Sequence, residues 1–143
     1  MCAIIIPRAG RFVRFTSARP LAHTRADAGI FGPAYCVRRS DHYPQWLRNA
    51  VSAEIAWFEN NLDAPTRFGV ATRRSCRNYA GLCWFRPEAR PEIAHAFALA
   101  ALLREGDIAI GVLETDDPGE IVYRDRAQVV AMPRRSAPPR YAG

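Results

Sequence analysis

Between Leu82 and Met132 the apolar pattern of this chain changes period repeatedly, and few arrangements accommodate such switching. Leu82-Cys83-Trp84-Phe85 is a short, nearly continuous apolar run, the pattern of a strand covered on both faces or central in a sheet. Pro91 then opens a helix to Glu105 as its N1 residue, with Glu92 at the positive end of the dipole. Ile93, Phe97, Ala100 and Leu103 line its inner face, Ala96, Leu99 and Leu102 widen it, and Gly106 is expected to supply the left-handed stop. Ile108, Ile110 and Val112 share one face of the next strand, so strand, helix and strand read as a β-α-β unit with parallel strands if they share a sheet. Asp116-Asp117-Pro118-Gly119 is a turn, with Gly119 at the position that needs positive φ. Ile121–Arg124 and Gln128–Met132 flank Asp125-Arg126-Ala127 as a hairpin, which Pro133 ends.

Upstream, a helix begins near Pro44 at its first position. Leu47, Val51, Ile55, Phe58 and Leu62 mark one apolar face, and Trp46, Ala50, Ala53 and Trp57 form a second row beside it. Asn60, Asn61 and the residue before Pro65 end it. The expected fold is α+β: a small mixed β-sheet of about four strands with two helices packed on one face, in the order helix, strand, helix, strand, hairpin. Residues 1–43 read as an irregular basic N-terminal arm, 44–133 as the single α+β domain and 134–143 as a basic mobile tail. Within the arm, Ala3–Ile6 and Arg11–Phe15 are candidate strands without an identified partner. The opposite face of the sheet is either a partner surface or the seat of the arm.

The 143 residues carry a net charge of +6, and its distribution matters more than its size. Residues 1–40 hold seven arginines and one acid, 41–133 ten arginines and thirteen acids, and 134–143 three arginines, so the middle is slightly acidic and the ends are basic. All twenty basic residues are arginine. Guanidinium forks suit phosphate and carboxylate, but an excess of Arg, Ala, Gly and Pro also follows from the codons of a GC-rich bacterium or its phage. No apolar run approaches the eighteen or so residues of a membrane span. Met1–Pro7 is too short an apolar run for a signal peptide, so a cytoplasmic protein is expected, with Cys2, Cys36, Cys76 and Cys83 reduced. Their irregular spacing contains no CxxC pair, and no metal site or cofactor is expected. Cys83 reads as a small core residue.

Residues 63–80 concentrate Arg67, Arg73, Arg74 and Arg77 with Phe68 and Tyr79 among them, which suits a solvated loop or a contact to phosphate or an acidic partner. The positive surround would lower the Cys76 thiol pKa, and loss of Met1 would leave Cys2 with a free α-amino group, so an enzyme reading rests on Cys2 or Cys76 as nucleophile. Tyr123, Arg124 and Asp125, with Arg86, Glu114 and Asp116, form a candidate polar cluster near strand ends. His95 lies two residues before Phe97, on a side expected to face solvent, and has no HxxxH or HExxH neighbour. The chain has no P-loop, dinucleotide fingerprint or nucleic-acid motif.

The resulting expectation is a non-enzymatic protein-interaction, adaptor or regulatory protein. Its partner-binding candidates are Trp46, Trp57, Arg67, Arg73, Arg74, Arg77, Tyr79, Arg86, Tyr123 and Arg124, and self-association is one form the contact can take. The alternative is a nucleic-acid-associated protein that neutralises phosphates through the arm, the 63–80 loop and the tail.

Overall fold

In the computed structural model the described residues are 10–17, 29–63, 81–132 and the backbone of 140–141. They form an α+β fold with strands β1 (Phe12–Ser17), β2 (Leu82–Phe85), β3 (Ile110–Thr115), β4 (Glu120–Arg124), β5 (Gln128–Met132) and β6 (Arg140–Tyr141). The helices are α1 (Phe31–Arg39), α2 (Gln45–Asn61) and α3 (Arg90–Glu105). The sheet order is β4-β5-β2-β1-β3-β6, and each neighbouring pair is antiparallel.

Among the described residues the expected four strands and two helices become six and three: the candidate strand at Arg11–Phe15 forms β1, Arg140–Tyr141 of the tail add β6, and residues 31–39, read as part of an irregular arm, supply a helix. β1 is an inner strand, paired through all six residues with β3 and at Val13↔Phe85 with β2. Alternation suggests a strand at Arg11–Phe15 without a partner; the structure extends it to Ser17, supplies β2 and β3 as its neighbours and buries the polar Arg14 and Thr16 along with Val13 and Phe15. Pro33 hid α1. It stands in the first turn, where its missing N–H has no intrahelical acceptor anyway, and Ile30, Ala34 and Val37 then bury one face. Arg38 and Arg39 complement the helix dipole at the other end. The candidate strand at 3–6 and the tail residues 134–139 and 142–143 lie outside the described residues.

β2 and β3 do share a sheet and run in the same direction, but β1 lies between them, antiparallel to both. The chain therefore crosses over β1 through α3, while the hairpin β4–β5 continues the other half of the sheet from β2. Its ladder shifts register between Ile121 and Tyr123.

Val13 and Phe15 from β1, Phe85 from β2 and Ile110 from β3 join Leu47, Val51, Ile55 and Phe58 of α2 and Ile93, Leu99 and Leu103 of α3 in one core. The three helices thus form one layer. Phe15 centres an aromatic set, edge-on to Phe97 at 5.0 Å and Phe85 at 6.2 Å. Alternate residues of the strands build a second cluster from Trp84, Leu113, Val129 and Ala131, with Phe12, Leu82 and Ile121 against it. Trp84 is 1% exposed and Val129 and Ala131 are fully buried, so the middle of that second face is not the open partner surface considered from sequence.

Helix ends differ in detail from expectation. Pro44 is the N-cap of α2, and Pro91 follows Arg90 within α3. Gly106 has φ −85°, and the left-handed residue is Asp107 at φ 62°. Position 106 is also tightly packed: a Cβ there would lie 3.1 Å from Tyr43 Cε1 and 3.3 Å from Leu47 Cδ2, where the end of α3 meets the start of α2. Asp107 and Ile108 amides close onto the Arg104 and Leu103 carbonyls, which delays β3 to Ile110. Gly119 takes the expected positive φ, 115°. No helix among the described residues is long and apolar enough to cross a membrane.

Candidate functional site

Three places in the fold gather side chains that chemistry or recognition can use. The first is the outer surface of α2 and α3. Trp46 is 57% exposed, the one large hydrophobic residue so placed among the described residues. Helical spacing puts it in a row with Ala50, Ala53 and Trp57, of which Ala53 is exposed and Ala50 and Trp57 half-buried. On α3, Ala94, Ala98 and Ala101 are exposed at the same spacing. Trp57 stacks flat on the His95 ring at 3.7 Å, and His95 Nδ1 lies 2.7 Å from Glu54 Oε2. A carboxylate accepts, so Nδ1 is the protonated nitrogen. His95 was expected to look into solvent. It bridges the two helices instead, because antiparallel packing of α2 and α3 brings Glu54, Trp57 and Phe58 alongside it.

The second place is the β4–β5 turn. Asp125 accepts from the Ala127 amide at 2.8 Å, the Gln128 amide at 2.9 Å, Gln128 Nε2 at 3.1 Å and the Tyr123 hydroxyl at 2.8 Å. Loss of water alone would raise its pKa; the hydrogen bonds from Ala127, Gln128 and Tyr123 outweigh that and hold the carboxyl below its ordinary value. Arg86 donates from Nη1 to the Asp125 carbonyl at 3.0 Å, and its Nε faces Glu88 at 3.5 Å. Arg126 reaches from the turn to Glu92 of α3 at 2.9 Å, where the carboxylate is 2% exposed and the guanidinium 72%. The structure therefore brings Arg86, Tyr123 and Asp125 together, while Arg124 projects into solvent. Glu114 and Asp116 are separated from this turn by β2 and β1, Glu114 lying in β3 opposite Val13 and Asp116 just after β3, facing Arg11 at 3.3 Å. The groups around Asp125 hold a turn in shape by bonding one another.

The third place was not legible in the sequence. Past Val13↔Phe85 the next rungs of the β1–β2 ladder would be Arg14 opposite Trp84 and Phe15 opposite Cys83. Those rungs are missing, and the strands splay around a cavity of about 270 Å³. Arg14, Phe15, Leu82, Cys83, Trp84, Phe85 and Gln128 line it from the strands, and Gly29 to Gly32 from the approach to α1. Arg14 is 6% exposed, and the buried Trp84 indole N–H meets no acceptor. Cys83 is a wall residue with solvent access instead of a core residue, because the missing rung leaves its side open. Its thiol is nonetheless shielded, and that desolvation pushes its pKa up against the lowering pull of Arg14, with Asp125 adding to the rise. A thiol so shifted is a poor nucleophile.

Arg67, Arg73, Arg74, Arg77 and Tyr79, like Cys2 and Cys76, lie outside the described residues. Among the described residues no group of His, Cys, Asp and Glu side chains is arranged to hold a metal ion. Comparison of the chain with protein-family models, curated proteins and solved structures returns no match.

Proposed function

We propose that this chain is a protein-interaction domain that receives a basic amphipathic helix of a partner protein on the outer surface of α2 and α3. The observation that carries the reading is Trp46, a large apolar side chain kept 57% exposed at the end of a row of small residues. Exposed tryptophan is the residue type most often found to anchor an interface, and alanines at helical spacing on both α2 and α3 allow a third helix to approach closely. Residues 41–133 as a whole carry more acids than arginines, which favours a basic partner. Trp57 is presented edge-fixed by the His95 stack, so little conformational entropy is lost when it is covered.

The test is affinity capture from the native cell with the wild-type chain and the Trp46→Glu variant, at about 0.15 and about 0.5 M salt, with co-purifying nucleic acid measured. A protein partner retained at the higher salt by wild type and lost with W46E supports the reading. Retention by W46E removes the surface from consideration. Loss of all binding at the higher salt, with nucleic acid recovered at the lower, favours the nucleic-acid alternative, in which the arginine-rich ends make the contacts.

A further inference from the structure

We propose, resting on the docking reading above, that Glu54 and His95 make the outer surface of α2 and α3 sensitive to pH: it holds the basic helix while His95 is neutral and releases it as His95 takes a second proton. Such a device requires a titrating group within the contact surface and a local charge that changes with it. Trp57 belongs to the row that leads from Trp46, and its ring lies flat on His95 at 3.7 Å with 15° between the planes. The Glu54–His95 pair therefore sits against the docking row. Both side chains keep contact with water, His95 at 35% exposure and Glu54 at 20%, so the ring can exchange protons without unfolding. Nδ1 holds its proton against Glu54 Oε2 at 2.7 Å, which leaves Nε2 as the nitrogen that gains or loses one.

Histidine is the side chain whose charge changes between about pH 5 and 8. With a neutral ring the pair presents the single negative charge of the carboxylate, which attracts the lysines and arginines of a partner helix. With a cationic ring the pair is neutral, and that attraction is gone. The other charged groups nearby are committed elsewhere. On α2, the helix packed against the ring, Arg48 bonds Asp41 and Gln45, and Glu59 bonds Arg38 and Tyr35. On α3 the buried Glu92 is held by Arg126 and Arg104 donates to the Ile110 carbonyl, while Arg90 and Glu105 stand exposed at the two ends of the helix. Protonation of His95 is thus the event that alters the charge beside Trp57.

The experiment titrates the full chain with one probe, a capped helical peptide of about eighteen residues with leucines on one face, arginines on the other and no histidine, by calorimetry at about pH 8 and about pH 5.5 in about 0.05 M salt. The expected result is saturable binding at the higher pH, lost with Trp46→Glu, and an affinity about threefold to tenfold weaker at the lower pH. His95→Phe should remove the difference between the two pH values, because its ring still packs on Trp57 but does not titrate; the exposed His42 stays in place as the internal control. Should that variant fail to fold, the wild type decides alone: the His95 imidazole resonances, identified by their NOE to Trp57, must change over the same pH range as the affinity. Equal affinity at the two pH values, a dependence that survives in H95F, or one that follows another histidine overturns the proposal and leaves the docking surface standing. Absence of binding at the higher pH, or binding retained by W46E, overturns both.

Discussion

His95 of α3 places Nδ1 2.7 Å from Glu54 Oε2 of α2, and the same imidazole lies flat against Trp57 one turn further along α2. One side chain thereby ties two helices by a charge-assisted hydrogen bond and by ring contact, at a depth where both partners remain partly in water. Substitution His95→Phe keeps the stack and removes the bond, whereas His95→Ala removes both. Urea unfolding should find H95A destabilised by about 1–2 kcal/mol and H95F by about half of that. Combining H95F with Glu54→Ala should cost little more than either alone, because the two residues share one interaction. Full additivity of H95F and E54A would show that the bond contributes nothing in solution.

Gly81 precedes β2 at a point where a Cβ would lie 2.7 Å from Val130 Cγ1 on β5. Val130 is fully buried and β-branched, so it has little rotamer freedom with which to yield. Gly81→Ala should destabilise the fold by about 1–3 kcal/mol through overpacking. Val130→Ala removes the obstructing methyl, and the double variant should be more stable than the sum of the single effects implies. A neutral G81A in thermal denaturation would mean that β2 and β5 are less closely apposed than described.

Asp125 supplies a pH dependence whose sign is determined. Burial opposes its ionisation, but the bonds from Ala127, Gln128 and Tyr123 prevail, so the folded-state pKa lies below the unfolded value of about 3.9. The ionised carboxylate therefore contributes stability that is complete above the unfolded pKa and is lost as pH falls through the folded one. Asp125→Asn should lower stability at neutral pH and flatten the loss of stability on acidification below about pH 4. A variant with the same acid limb as wild type in urea titrations would remove Asp125 as its source.

Trp46 should matter to recognition and hardly to folding. Trp46→Phe is expected to change stability by less than about 0.5 kcal/mol, as for other exposed positions without a structural partner. The same change should remove most of the acrylamide-quenchable tryptophan fluorescence, since Trp84 is buried and Trp57 is half-covered by its neighbours. Quenching that survives in W46F would show that another indole is the exposed one.

Phe15 carries the opposite expectation. It is nearly buried and meets Phe97 and Phe85 edge-on where α3 crosses the sheet, so Phe15→Ala should cost about 3–5 kcal/mol. For a small domain that is a large part of the total stability, and calorimetry should find the transition far lower or absent.

Local pattern alone determined α2, α3, β2 and the β4–β5 hairpin, because the residues that define each are neighbours along the chain: Leu47 to Phe58 by helical spacing, Leu82 to Phe85 by continuity, Gly119 by the φ its turn needs. Tertiary structure decided what depends on distant partners. Alternation suggested a strand at Arg11–Phe15 but not its neighbours, β3 and β2, which lie on either side of it, and Pro33 looked like a break until its place in the first turn of α1 was known. Of the residues singled out for binding, Trp46 is exposed, Trp57 stacks on His95, and Arg86 and Tyr123 turn inward to a hydrogen-bonded turn. The splayed seam between β1 and β2 has no signature in either strand, since a missing rung is a property of how two segments nearly seventy residues apart meet, and only packing can open it.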